Sequence, residues 1–333
     1  MLIFFFLILS GVGFLLFIYQ KQFASIVSPL PLATSLAPSI TLPLPTPTPD
    51  SQATIGLVGD LGLGRHITST ARSKNDFHWS FNAISPWLKS NDFNLANLES
   101  PIIKDCPPGF TGTFTFCGDT RFLPELVDHK LVLNLANNHI FNYGQKGFVQ
   151  THDYLSQNNL THFYSHCRLS DQDTSGSCPT EFARQEINGI TFGFLGYDLV
   201  TNSDVIASEA KQSEIIETVK RYDPQVDWLI ISIHWGNEYL PKAEPWRVSL
   251  AHQLVDAGAD LIHGHHPHVW QEPEVYQGKP IFYSFGNFIF DQSWSYATSH
   301  SQISRLTFTK TEIGKIDYSP IEIKFNSQPW ISN

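Results

Sequence analysis

Four imidazoles crowd into one short stretch, His263-Gly264-His265-His266-Pro267-His268, downstream of a fifth at His234. Each imidazole has two ring nitrogens to satisfy, and in its neutral form it is the commonest side-chain metal ligand. Such density points to a metal-dependent centre. Upstream residues extend the pattern: Asp60 after Gly59, Glu99 in Asn97-Leu98-Glu99-Ser100-Pro101, and the pair Asn138-His139. Asp60 reads as a hard anionic ligand, although Asp is equally at home as a turn or helix cap. Glu99 ends an apolar run, where a carboxylate is seldom buried unless paired or coordinating. Asn138 offers an amide oxygen to a cation, and His139 an imidazole that can move protons. His234 lies between Ile233 and Trp235 and, taken alone, reads as a satisfied core histidine. Pro267 fixes the backbone between His266 and His268. An extended H-x-H turns both rings to one side, leaving His263 and His265 to face the other way as structural groups.

The elements that must position these residues are short apolar runs alternating with helical patterns, the signature of an α/β fold. Strands are expected over residues 55–58, 93–98, 131–135, 190–195, 228–233 and 261–262. Most of them run straight into one of the polar candidates. In α/β sheets the carboxyl ends of strands are where sites assemble, so residues distant in sequence can converge there. Pro245 suits a first helical turn, Trp246, Leu250 and Leu254 repeat at helical spacing, and Gly258 is a natural stop. Further helices are expected over residues 147–155 and, on the surface, 202–220. After Pro280 the pattern becomes alternating strand at residues 305–309 and 321–325.

With 333 residues the chain can bury a sizeable core. Its net charge of -10 argues against nucleic acid as a partner, because phosphate binding is driven by Lys and Arg. Residues 1–20 contain an uncharged apolar run long enough to cross a bilayer. No small-residue cleavage site is obvious, so a retained membrane helix is expected over a cleaved signal segment. Residues 21–52 are rich in Pro, Ser and Thr and read as an extended linker. The main domain is expected over residues 53–328. Cys106 and Cys117 bracket one short segment, Cys167 and Cys178 another, which suggests two loop-stapling disulfides and an extracytoplasmic location. Four free thiols are the alternative. Neither pair has the close spacing of a zinc site.

Taken in order, Gly59-Asp60-Leu61-Gly62-Leu63-Gly64-Arg65, Ala96-Asn97-Leu98-Glu99-Ser100-Pro101, Leu135-Ala136-Asn137-Asn138-His139, His234-Trp235-Gly236-Asn237-Glu238-Tyr239, His265-His266-Pro267-His268 and Ser284-Phe285-Gly286-Asn287-Phe288 resemble the CapA family of capsule (poly-γ-glutamate) synthesis proteins. That family is grouped with the calcineurin-like metallophosphoesterases. The resemblance runs from about Thr54 to Asp291. It implies a four-layer sandwich of two mixed β-sheets flanked by helices. It also places Asp60, Glu99, Asn138, His234, His266 and His268 at metal-ligand positions. His139 matches the histidine that stabilises or protonates a leaving group. Arg65 is expected to bind an anionic substrate group, a surface salt bridge being its plainer reading. The implied chemistry is phosphoester hydrolysis with one or two divalent ions, and Mn, Fe and Zn all suit such mixed oxygen and nitrogen ligands. The implied partners are an anionic polymer or phosphoester substrate, the membrane, and other capsule-synthesis membrane proteins. Two departures stand out. The superfamily usually opens with Asp-x-His, where this chain has Asp60-Leu61-Gly62, and Glu99 stands where a bridging Asp is usual. They keep open a non-catalytic alternative: a metal-stabilised scaffold or polymer-binding module.

Overall fold

Residues such as Leu57, Val58, Leu95, Ile230 and Ile231 alternate between two apolar environments, so their strands are buried on both faces, as parallel sheets require. The computed structural model describes residues 51–107, 114–165, 181–200, 209–325 and 327–332. The expected membrane helix, the linker up to residue 50, and the Cys167–Cys178 pairing fall outside the described residues. No helix among the described residues is long and apolar enough to cross a membrane.

The chain first lays down β1 (Ala53–Leu61), β2 (Phe93–Leu98), β3 (Leu131–Asn134) and β4 (His162–Phe163) as successive parallel neighbours. It then builds a separate six-stranded sheet from β5 (Ala183–Ile187), β6 (Ile190–Asp198), β7 (Trp228–His234), β8 (Leu261–His265), β9 (Glu274–Tyr276) and β10 (Lys279–Phe282). Their order is β9-β10-β8-β7-β6-β5, parallel in the middle with antiparallel strands at both edges. The β5–β6 turn is Asn188-Gly189, both residues at positive φ (52° and 77°), as a two-residue hairpin demands. Finally β11 (Asn287–Ile289), β12 (His300–Phe308), β13 (Ile313–Lys324) and β14 (Gln328–Ile331) return to the first sheet. That sheet reads β14-β13-β12-β1-β2-β3-β4, with β11 also beside the end of β1.

The helices α1 (Arg65–Lys74), α2 (Ser85–Lys89), α3 (Leu123–Asp128) and α4 (Gly144–Gln157) set Ile67, Leu88, Leu126 and Phe148 against Val58, Leu98 and Leu133 of the first sheet. Helices α5 (Glu209–Tyr222) and α6 (Pro245–Asp256) do the same for the second, through Ile215, Val219, Leu250 and Leu254 on Ile231 and Ile262. A short α7 (Tyr296–Ser299) precedes β12. Between the sheets lie Leu57, Leu95, Phe194, Ile230, Phe282 and Leu306. The order of layers is therefore helix, sheet, sheet, helix. Pro245 opens α6 as expected and Gly258, at φ 118°, follows its end. The described part of α5 starts at Glu209 and runs past the expected limit to Tyr222. Cys106 and Cys117 are joined in a disulfide, which ties down the loop that carries Phe116 toward the carboxyl end of the first sheet.

Candidate metal centre

Both sheets deliver their polar residues to one place. Asp60 lies near the end of β1, Glu99 just past β2, Asn138 and His139 beyond β3, and His234 ends β7. In the second sheet His265 is in register with His234, and in the first Asp60 is in register with Asn97. Gly59 lets this junction close: a Cβ there would meet the Gly286 carbonyl oxygen at 2.0 Å, and the Asp60 N–H donates to that same oxygen. All of Asp60, Glu99, His139, His234, His266 and His268 are buried, and half-buried Asn138 lies against them.

The distances are those of a ligand shell. His268 Nδ1 is 3.2 Å from Asp60 Oδ2, and its Nε2 is 3.6 Å from Glu99 Oε1. His234 Nε2 is 2.9 Å from Asn138 Oδ1, 3.1 Å from His266 Nδ1 and 4.0 Å from Glu99 Oε1. His139 Nε2 is 3.9 Å from Glu99 Oε1. Donor atoms bound to one ion at about 2.0–2.2 Å stand roughly 3–3.5 Å apart; the separations of 2.9–3.2 Å match that spacing and those of 3.6–4.0 Å are somewhat wider. Two carboxylate oxygens, Asp60 Oδ2 and Glu99 Oε1, are buried without a hydrogen-bond partner. An orphaned buried anion is costly unless a cation meets it. The donor set of carboxylate, imidazole and amide oxygen fits a divalent Mn, Fe or Zn ion.

The opposite oxygens are clamped. Asn97 Nδ2 sits 2.9 Å from Asp60 Oδ1 and 3.1 Å from Glu99 Oε2, while its own Oδ1 accepts from Asn137 Nδ2 at 3.1 Å. Asp60 Oδ1 also meets His265 Nδ1 at 2.9 Å. His265 Nε2 lies 2.9 Å from His263 Nδ1, and His263 Nε2 is 2.9 Å from the Val58 carbonyl, which can only accept. The two imidazoles thereby link a fixed backbone oxygen to the carboxylate. Asn287 donates to the Thr298 carbonyl, so its Oδ1 accepts from His268 Nδ1 at 2.9 Å and His268 presents Nε2 to the centre.

Burial raises the Glu99 carboxyl well above the usual range, and nearby Asp60 adds to it. Burial pushes the same way at Asp60, but the adjacent imidazoles of His265 and His268 override it and hold that group well below the usual range. Burial, then the neighbouring imidazoles, keeps His234 low and His266 at about 3. His139 is lowered by burial to about 4. Neutral imidazole is the form a metal requires.

The centre lies within the reach of one family: the model of the bacterial capsule synthesis protein PGA_cap matches residues 54–292. The chain belongs to the PGA_cap family. It is similar to the capsule biosynthesis protein CapA of Bacillus anthracis, with 29% identity over 84% of this chain and 69% of that protein. It is also 29% identical to the PGA biosynthesis protein CapA of Bacillus subtilis (strain 168), over 90% of this chain and 79% of that one. The fold is similar to that of a hypothetical protein from Thermus thermophilus, with a TM-score of 0.53 at 14% identity, covering 81% of this chain and 99% of the other. The matched PGA_cap region contains every residue of the centre, from Asp60 to Asn287.

Two features of this PGA_cap domain depart from the reading of its sequence, and Arg65 takes the plainer of the two readings given for it. His266 and His268 do not sit in an extended H-x-H: both occupy the left-handed region, at φ 94° and 57°, and it is this tight loop that aims them inward. His265, expected to face away, holds Asp60. Arg65 is engaged by Asp291, through its Nε at 3.1 Å and a terminal nitrogen, and its guanidinium lies 4.3 Å over the Phe116 ring. Asn97 and Asn287 went unread as site residues. Asn97 was visible as a polar side chain two positions before Glu99, hence on the same face of an extended strand.

Proposed function

We propose that this chain is a metal-dependent phosphoesterase acting in the assembly of an anionic surface polymer of the poly-γ-glutamate type. Its α/β domain would stand outside the cell, tethered by the apolar N-terminal segment. The observation that carries the chemical part is the pair of orphaned, buried carboxylate oxygens on Asp60 and Glu99, ringed by imidazoles of His139, His234 and His268. Family membership and the names of the two CapA relatives support the polymer part. The Cys106–Cys117 disulfide supports an oxidising compartment.

Asp60, Glu99, Asn138, His234, His266 and His268 would hold the ion or ions. A divalent ion held there supplies Lewis acidity toward a phosphoryl oxygen and lowers the pKa of a water. The chain's own groups do the rest. Asn97 and His265 keep the two carboxylates turned, so that one oxygen of each faces the centre. Asn142 Oδ1 accepts from the Phe116 N–H at 2.7 Å and from His139 Nδ1 at 3.2 Å. That puts the proton on Nδ1 and leaves the Nε2 lone pair facing the centre, where it would take a proton from the attacking water and pass it to the leaving oxygen. Phe116, 4.1 Å from the His139 ring, walls the imidazole off from water. Arg65 keeps a positive charge beside the site, while Asp291 holds its fork.

The test is metal content and phosphoesterase turnover of the purified full-length chain, alongside His139→Ala. Metal plus turnover that falls at least a hundredfold in the variant, with metal retained, is the expected result. Bound metal without turnover on phosphomonoesters and phosphodiesters in Mn, Zn, Fe and Mg would refute the enzyme reading and leave a scaffold.

A further inference from the structure

We propose that Glu238 is a metal ligand, closing with His266 and His268 a second cation position at the mouth of the centre; this rests on the metal-centre reading above. Glu238, His266 and His268 each offer one donor atom, and the three atoms lie within 4.8 Å of one another. Asp60, Glu99 and His234 meet the same condition as a separate trio. The two positions adjoin: His268 Nε2 lies 3.6 Å from Glu99 Oε1 and His266 Nδ1 3.1 Å from His234 Nε2, so Glu238 is the donor that the outer position adds. The inner trio is fully buried, whereas Glu238 is half-buried, so the outer position is the one open to solvent.

The backbone is shaped to bring this carboxylate in. After β7 the chain turns at Gly236, φ 84°, where a Cβ would meet the Arg247 guanidinium at 2.8 Å. Arg247 is itself buried, paired with Glu244 at 2.7 Å and donating to Gln271 Oε1 at 2.6 Å, so the turn packs on a fixed post. Tyr239, φ 64°, ends the turn and its N–H donates to the Pro267 carbonyl at 2.8 Å. That bond ties the loop carrying Glu238 to the loop carrying His266 and His268. Tyr239, His266 and His268 thus hold three left-handed non-glycine conformations in two facing loops, a concentration typical of sites whose geometry is imposed for function. A rim carboxylate serving only solubility needs none of this. Among the described residues no Lys or Arg forms an ion pair with Glu238; its neighbours are the Tyr239 hydroxyl, which hydrogen-bonds to it, and two imidazoles suited to the same ion.

The experiment is Mn2+ titration calorimetry on the purified full-length chain, with elemental analysis of the gel-filtered protein, for wild type, Glu238→Gln and Glu238→Ala. The melting temperature in EDTA serves as the check on folding. The expected result is one Mn2+ fewer, or one site at least tenfold weaker, in both variants, with the EDTA melting temperature unchanged. Wild-type count and affinity in Glu238→Gln would overturn the Glu238 assignment while leaving the inner centre intact. A wild-type chain that binds no Mn2+ or Zn2+ would overturn the metal-centre reading itself, and Glu238 with it.

Discussion

Asn97→Asp exchanges one amide nitrogen for an oxygen and alters almost nothing else, which isolates the electrostatics of the centre. In the native protein that nitrogen lies 2.9 Å from Asp60 Oδ1 and 3.1 Å from Glu99 Oε2. Losing two hydrogen bonds to charged groups costs about 1.5–3 kcal/mol each. The new carboxylate also stands about 3 Å from another, an interaction of ~5 kcal/mol at an effective dielectric of 20. Protonation of one group relieves part of that repulsion. A net loss of at least ~4 kcal/mol is expected at pH 7 in EDTA, or about 10 °C in melting temperature for a domain of this size. Urea denaturation at pH 7 and pH 5 measures it. Carboxylates with raised folded pKa values take up protons the unfolded chain does not hold, so the deficit grows with pH and shrinks on acidification. A variant within 1 kcal/mol of wild type at pH 7, or a deficit equal at both pH values, would refute the clamp.

Three further outcomes are expected. His265→Ala should weaken Mn2+ binding about 10–100-fold, with His265→Gln recovering part of it through its remaining N–H; wild-type affinity in the alanine variant would mean that the imidazole chain is only packing. Replacing Cys106 and Cys117 by Ser should cost about 3 kcal/mol in urea denaturation and also lower turnover, because adjacent Phe116 packs on His139; unchanged turnover would break that link. His162 donates from Nδ1 to the Leu160 carbonyl at 2.7 Å and so accepts at Nε2 from His152, with burial lowering its pKa to about 4. Between the unfolded value near 6.5 and that pKa the unfolded chain binds the proton and the folded chain does not, so up to ~3 kcal/mol of stability is lost as pH falls through this window. His162→Gln should flatten that loss, and an unaltered acid limb would refute it.

The strands that build the centre were legible because apolar runs ended in Asp60, Glu99, Asn138 and His234, and strand ends are where α/β sheets collect their sites. The helix from Pro245 announced itself by its first residue and by the spacing of Leu250 and Leu254. What the sequence concealed depended on partners far along the chain. Asn97 shares a strand face with Glu99 by spacing alone, but its clamp on Asp60 exists only once β1 is paired with β2. His265 is indistinguishable from its neighbours until β8 is set beside the end of β1. The left-handed turns at His266 and His268 carry little local signature either, since neither residue is Gly, the residue that adopts such backbone most readily.

The central strand of the first sheet, β1, is the first element described, yet one of its two flanks is filled by β12, which pairs Ala53 with Phe308. Throughout synthesis, and throughout any passage across a membrane, that flank has no native neighbour. Folding must wait for contacts of great sequence separation, which makes it slow and leaves a sticky apolar strand available to other chains. A chain ending before residue 300 keeps every residue of the candidate metal centre and still loses the strand that covers β1, so it is expected to aggregate instead of forming a smaller folded domain. The last strands, which contribute no ligand, decide when the centre comes into existence.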